Sequence, residues 1–162
     1  MKRPDWLDDD TFELFFLLQK HEVRYLIIGG LAVIYYGYTR NTNDADIFFE
    51  RTSDNVERLF DCLKEFWGRS IPGIEKKEIL LEKGVFFQFG REPNRIDLMN
   101  SIPGVDFEKA WPKREVQILE TEPPVKLNII SRDELISAKE AAARPIDQAD
   151  LQYLKSDNYP PI

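Results

Sequence analysis

Cysteine and histidine are almost missing from this chain. A single cysteine excludes a disulfide framework and a four-cysteine zinc site, and a single histidine excludes a zinc helix of the His-x-x-x-His kind. Positive charge is also short. Twenty-two basic against 29 acidic side chains leave a net charge of −7, which argues against a general nucleic-acid binder but leaves room for a local basic pocket. No apolar run reaches the roughly 18–20 residues that span a bilayer. The first ten residues turn acidic where the apolar part of a secretory signal would begin, so a cytoplasmic location without membrane association is expected. Internal repeats, low-complexity blocks and a dividing linker are absent too. What remains is 162 residues with 43% hydrophobic side chains, enough to bury one core.

Periodicity divides the chain into alternating strands and helices, an α+β pattern. Asp10 or Thr11 is expected to cap a first helix carrying Phe12, Phe15 and Phe16. Val23 to Ile28 reads as a buried strand ended by a turn at Gly29-Gly30, and Leu31 to Tyr36 as a short helix. A strand is expected from about Asp46 to Glu50, and a helix from Asp54 to Trp67 capped by Thr52 or Ser53. Ile79–Leu81, Val85–Phe89, Arg95–Met99, Val116–Leu119 and Val125–Ile130 read as further strands, with a helical turn at Phe107–Trp111. Ser131 caps a helix to about Ala143, and Pro145 starts the last one, ending near Leu154.

Three features fit together. Gly29-Gly30 follows a buried strand; Asp44-Ala45-Asp46 opens the next one; Asp97 sits inside a third, between Ile96 and Leu98. Alternate strand residues share a face, so Asp44 and Asp46 lie side by side, with Phe48 continuing that face. Two such carboxylates repel each other and resist desolvation, and a divalent cation satisfies both. Magnesium prefers these oxygen ligands and keeps phosphates and water in its shell. If the Asp97 strand neighbours the Asp46 strand, three carboxylates converge. That is enough for two metal ions, or for one metal and a general base. Glycine lets backbone approach a ligand, and the free N–H groups of the following helix attract phosphate. A phosphate clamp facing a metal site is what phosphoryl or nucleotidyl transfer requires.

With these residues in place, the chain resembles the nucleotidyltransferase superfamily of the polymerase-beta type. Ala32, Tyr36-Gly37 and Arg40-x-Thr42-x-Asp44-x-Asp46 resemble, more narrowly, the bacterial branch that includes the AbiE toxin-like nucleotidyltransferases. Leu135-Ile136, Lys139, Ala142, Arg144-Pro145, Asp147 and Asp150-Leu151 resemble that branch's closing motif. The resemblance implies a single domain over 1–162: a mixed β-sheet with flanking helices, a core at about 23–130, and C-terminal helices at about 132–155. It implies Mg2+, as one or two ions with Mn2+ able to substitute, on Asp44, Asp46 and Asp97. It gives those three acids the catalytic role, Gly29 and Gly30 the nucleotide-phosphate contacts and Lys139 a further phosphate contact; Arg40 and Thr42, which flank the acids, are expected to add nucleotide and phosphate contacts. The donor it implies is a nucleoside triphosphate such as ATP. The acceptor is open among a small alcohol, an RNA end and a protein, and a toxin–antitoxin or phage-defence setting would add a partner protein. Asn43 stands where relatives often carry lysine.

Plainer roles exist for several of these residues. Arg40 either meets a phosphate or neutralises Asp44 or Asp46, and Arg95 reads as an ion-pair partner for Asp97. Lys139 and Arg144 could merely complement a helix end, and Asp147 and Asp150 could hold Lys139 or face solvent. His21 is expected to be solvated, Cys62 to be a buried thiol, and the aromatics, Phe86 among them, to form core. Two rivals stand beside nucleotidyl transfer. One is a module of the same fold that binds a nucleotide or a partner without turnover. The other is a sugar-nucleotide transferase with an Asp-x-Asp metal site.

Overall fold

The computed structural model describes residues 3–4, 7–38, 42, 44–90 and 95–156. Helix α1 spans Asp9–Lys20. Its cap is Asp8, rather than Asp10 or Thr11, because the Asp8 carboxylate accepts both the Thr11 N–H (2.9 Å) and the Thr11 hydroxyl (2.8 Å). Strand β1 (Tyr25–Ile28) runs directly into α2 (Gly29–Tyr35), so the expected turn at the glycine pair is the first turn of the helix itself. Strand β2 (Asp44–Phe49) leads to α3 (Ser53–Trp67), whose cap Thr52 accepts the Asn55 N–H. There follow β3 (Phe86–Phe89), β4 (Arg95–Met99), α4 (Phe107–Ala110), β5 (Glu115–Leu119) and β6 (Val125–Ile129). Helices α5 (Arg132–Ala142) and α6 (Pro145–Leu154) close the fold.

The strands form one mixed sheet in the order β3-β4-β2-β1-β6-β5. β1 pairs antiparallel with β2 and parallel with β6, and β2 pairs parallel with β4. The two hairpin-like pairs, β3–β4 and β5–β6, form the edges. Alternation decides what each face buries. Tyr25, Ile27, Ile47 and Phe49 share the face covered from α1, where Phe15 stacks on Tyr25 with ring centroids 5.7 Å apart. Phe48 points to the other face and meets Phe107 of α4 edge-on at 5.1 Å. Asp44 and Asp46 share that second face by the same alternation.

One expected strand is absent. Ile79–Leu81 lies in a 3₁₀ helix, Lys77–Leu81. Its carbonyls are taken by a side chain instead of a ladder. Buried Asn100, just after β4, donates through Nδ2 to the Leu80 and Glu82 carbonyls (3.0 and 2.8 Å) and accepts the Gly84 N–H (2.9 Å). Leu80 is thereby anchored in the core.

Asn55 does the same for the centre of the sheet. Its Oδ1 accepts the Arg24 N–H at 2.7 Å, and its Nδ2 donates to the Arg24 and Glu50 carbonyls at 3.0 and 2.8 Å. The side chain is fully buried, so it ties the start of β1 and the end of β2 to α3 out of reach of water. Asn55→Ala is expected to strand these backbone groups and cost roughly 3 kcal/mol. Urea denaturation measures it, and a loss well under about 1 kcal/mol would contradict the role given to Asn55.

Candidate active site

The register of β2 against β4 builds the site. The parallel pairing sets Asp46 opposite Asp97 and Asp44 opposite Arg95. One carboxylate oxygen from each of Asp44, Asp46 and Asp97 lies within 4.8 Å of the others. Asp97 is 3% exposed, whereas Asp44 and Asp46 are half-buried at the strand's mouth. The three acids line a cleft of about 470 Å³, walled by β3 on one side and by α5 and the start of α6 on the other.

Like charges this close need a cation. Arg95 supplies one: its guanidinium reaches Asp97 at 3.1 Å and Asp44 at 2.5 Å. The ion pair expected with Asp97 is present, and it extends to Asp44 across the strand pair. Asp46 is less well served. Burial, then a hydrogen bond with Asp97 and the charges of Asp97 and Asp44, push its carboxyl from an ordinary 3.8 up to about 7, and the Arg144 charge relieves this only partly. Asp46 thus remains under burial and the repulsion of its two neighbours even with Arg95 in place. Three hard oxygen donors in that state suit Mg2+ or Mn2+.

Gly29 is needed here for two reasons. Its φ is +66°, a conformation that side chains seldom adopt, and a methyl added there would overlap the Asp46 Oδ2 atom. The start of α2 thus lies against the acid itself. Gly30 is buried in the first turn of α2 and is not among the cleft-lining residues. The Thr42 hydroxyl donates to the Asp44 carbonyl at 3.4 Å, a contact that steadies the entry to β2. Arg40 and Asn43 lie outside the described residues.

Lys139 reaches the cleft wall, but its side chain is 4% exposed and its ammonium is held between Asp150 (2.8 Å) and Asp147 (3.3 Å). Those two acids hold the lysine and do not face solvent. Arg144 is the more open cation. It also lines the cleft, it grips Asp147 at 3.0 Å through Nε, and its side chain is 64% exposed.

Two expectations about single residues are corrected. Phe86 is exposed at the cleft rim instead of joining the core, because its β3 register sets it opposite Met99 on the cleft face, beside Gln88 opposite Asp97. The Phe86-x-Gln88 alternation was the available signal for it. His21 is partly covered and sits 2.9 Å from Glu65 instead of being solvated. Cys62 is buried, and burial pushes its thiol up to about 12, as suits a packing thiol.

A family model described as "Nucleotidyltransferase of unknown function" matches residues 8–155. Among solved structures, the chain resembles a Thermotoga maritima protein whose crystal structure is described as that of a "putative nucleotidyltransferase". The TM-score is 0.56 at 16% identity, over 93% of this chain and 91% of that one, which shows a shared fold. No curated protein matches the chain.

Two outcomes follow from this geometry. Gly29→Ala is expected to displace the Asp46 carboxylate and weaken Mn2+ binding at least tenfold, read by calorimetric titration; unchanged affinity would contradict the contact. The raised Asp46 value also sets a pH dependence. Between about 4 and 7 the metal-free native state binds a proton that the unfolded chain has released, so its stability falls as pH rises through that window. Thermal melts across that range should show the slope in wild type and a flatter one in Asp46→Asn.

Proposed function

The chain belongs to the family described as nucleotidyltransferase of unknown function, and on that premise we propose that it moves a nucleoside monophosphate from a nucleoside triphosphate to an acceptor hydroxyl in a magnesium-dependent reaction. The observation that carries this reading is the convergence of Asp44, Asp46 and Asp97 within 4.8 Å at the mouth of a cleft. Mg2+, or Mn2+ in its place, would be held by these three carboxylates and would supply charge neutralisation at the reacting phosphate.

The protein's own groups then have separate tasks. Asp97, buried and gripped by Arg95, is fixed in direction and takes the proton of the attacking hydroxyl or completes the cation's oxygen set. The acceptor oxygen bonds to the α-phosphorus, the bond from that phosphorus to its bridging oxygen breaks, and pyrophosphate leaves. Arg144, open to the cleft, steadies the departing phosphates, and the backbone at Gly29 borders the same region. Lys139 supports this wall through Asp147 and reaches a phosphate only by leaving its two carboxylates. Phe86, exposed at the rim, offers the face on which a base stacks. On the resemblance to the AbiE toxin-like branch, we assign the activity to a bacterial toxin–antitoxin or phage-defence setting with a partner protein. Its acceptor hydroxyl would be on a small alcohol, an RNA end or a protein.

A second reading has one observation in its favour. Arg95 already bridges Asp44 and Asp97, which is how a module that binds a nucleotide without turnover would balance its acids. Pyrophosphate release from each of the four nucleoside triphosphates, with an acceptor screen, separates the two. Transfer should require Mg2+ and fall at least a hundredfold in Asp44→Asn and in Asp46→Asn, with both variants folded by thermal melt. Undiminished release in both variants would overturn the assignment. Tight nucleotide binding without release in wild type would favour the module.

A further inference from the structure

A second cavity, of about 590 Å³, opens at the other end of β1. β1 runs from Tyr25 at this end to Ile28 at the acidic cleft, so the two sites lie about 10 Å apart along the strand. Nothing in the proposed transfer uses this cavity.

Its chemistry is the reverse of the cleft's. Arg24, Arg114 and Lys126 line it, in a chain whose net charge is −7. Both guanidinium groups lie against one indole: the Arg114 carbon is 3.7 Å from the Trp111 ring centre, and that of Arg24 is 5.5 Å away. Trp111 is itself backed by Phe107, with ring centroids 5.7 Å apart, and Phe107 rests on Phe48 of the sheet. Arg114 is further fixed by its Nε on the Asn128 side chain (3.2 Å) and its Nη1 on the Trp111 carbonyl (3.0 Å). Both partners are neutral, and Arg114 makes no ion pair with an acid among the described residues. Burial and the neighbouring Arg24 charge hold its guanidinium below the usual arginine range. Two acids lie close: Glu22 lines the cavity, and Glu50 meets Arg24 at 3.5 Å. Three cations against these two acids leave one net positive charge, and neither Arg114 nor Lys126 is ion-paired among the described residues. Ile118, 58% exposed, and Pro124 supply an apolar wall beside them.

A planar guanidinium held flat, with a neighbouring ammonium, matches the oxygens of a phosphate ester. We propose that this cavity binds a phosphorylated small molecule, its phosphate on Arg114, Lys126 and Arg24 and its organic part against Ile118 and Pro124. The size of the cavity accommodates a ligand as large as a mononucleotide. The site needs no divalent cation, so it stands or falls separately from the reading of the acidic cleft.

Calorimetric titration of the full chain in EDTA, with inorganic phosphate and with adenosine 5′-monophosphate as probes, tests it. Wild type should bind both, the monophosphate at least tenfold more tightly, and both affinities should drop as NaCl is raised. Arg114→Gln and the exposed Lys126→Gln should each weaken binding at least tenfold, while Asp46→Asn leaves it unchanged. Lys126→Gln keeps the test intact if Arg114→Gln fails to fold. Binding of neither probe, or binding that survives both substitutions or is lost in Asp46→Asn, would overturn the proposal. Equal affinity for the two probes would overturn the role of Ile118 and Pro124.

Discussion

Parallel pairing of β2 with β4 forces Asp46 and Asp97 into the same register, with Asp44 beside them, and the rest of the site answers that concentration of negative charge. A one-residue slip between these strands would turn the acids to opposite faces. Burial on the far side of the sheet prevents it, since Ala45, Ile47, Ile96 and Leu98 alternate with the acids and are locked in the core. Hydrophobic packing thus holds carboxylates where their own electrostatics would not. Arg95 offsets part of the repulsion, while burial first, and then the Asp97 hydrogen bond and the charges of Asp97 and Asp44, push the Asp46 carboxyl up to about 7. A divalent cation held there would compete with the Asp46 proton.

The C-terminal helices reach the site through a second, wholly internal charge arrangement. Lys139 of α5 lies between Asp147 and Asp150 of α6, and all three side chains are buried. Such a cluster adds little over well-packed apolar groups, but it is costly to break by halves, so it fixes how the two helices meet. Gly104 adds to this fit, because a methyl there would press on Ala141 and the Ser137 carbonyl of α5. Together they set the wall that presents Arg144 to the cleft.

Much of this could be read from the sequence. The mixed α+β class, the Thr52 and Ser131 caps and most strands follow from local signals that the fold does not override. The acids were legible because strand alternation places Asp44 and Asp46 together, and an acid at mid-strand asks for a reason. Other features depend on contacts distant in sequence. Ile79–Leu81 has an apolar run that suits a strand, but Asn100, some twenty residues on, takes its carbonyls. Arg95 meets Asp44 across 51 residues, and Phe86 is exposed only because β3 is an edge strand facing the cleft. The pairing of Arg24 and Arg114 on Trp111 likewise joins segments that no local pattern connects. Composition left room for a basic pocket in an acidic chain without indicating where it would form.

The proposed transfer depends on Asp44, Asp46 and Asp97 acting together as a divalent-cation site. Anomalous diffraction from crystals grown with Mn2+ and a non-hydrolysable nucleoside triphosphate would decide this. A peak is expected at coordination distance from the Asp44 and Asp46 carboxylates, with the triphosphate in the same cleft. A peak elsewhere, or a nucleotide bound there with Arg95 still bridging the acids and no manganese, would contradict it.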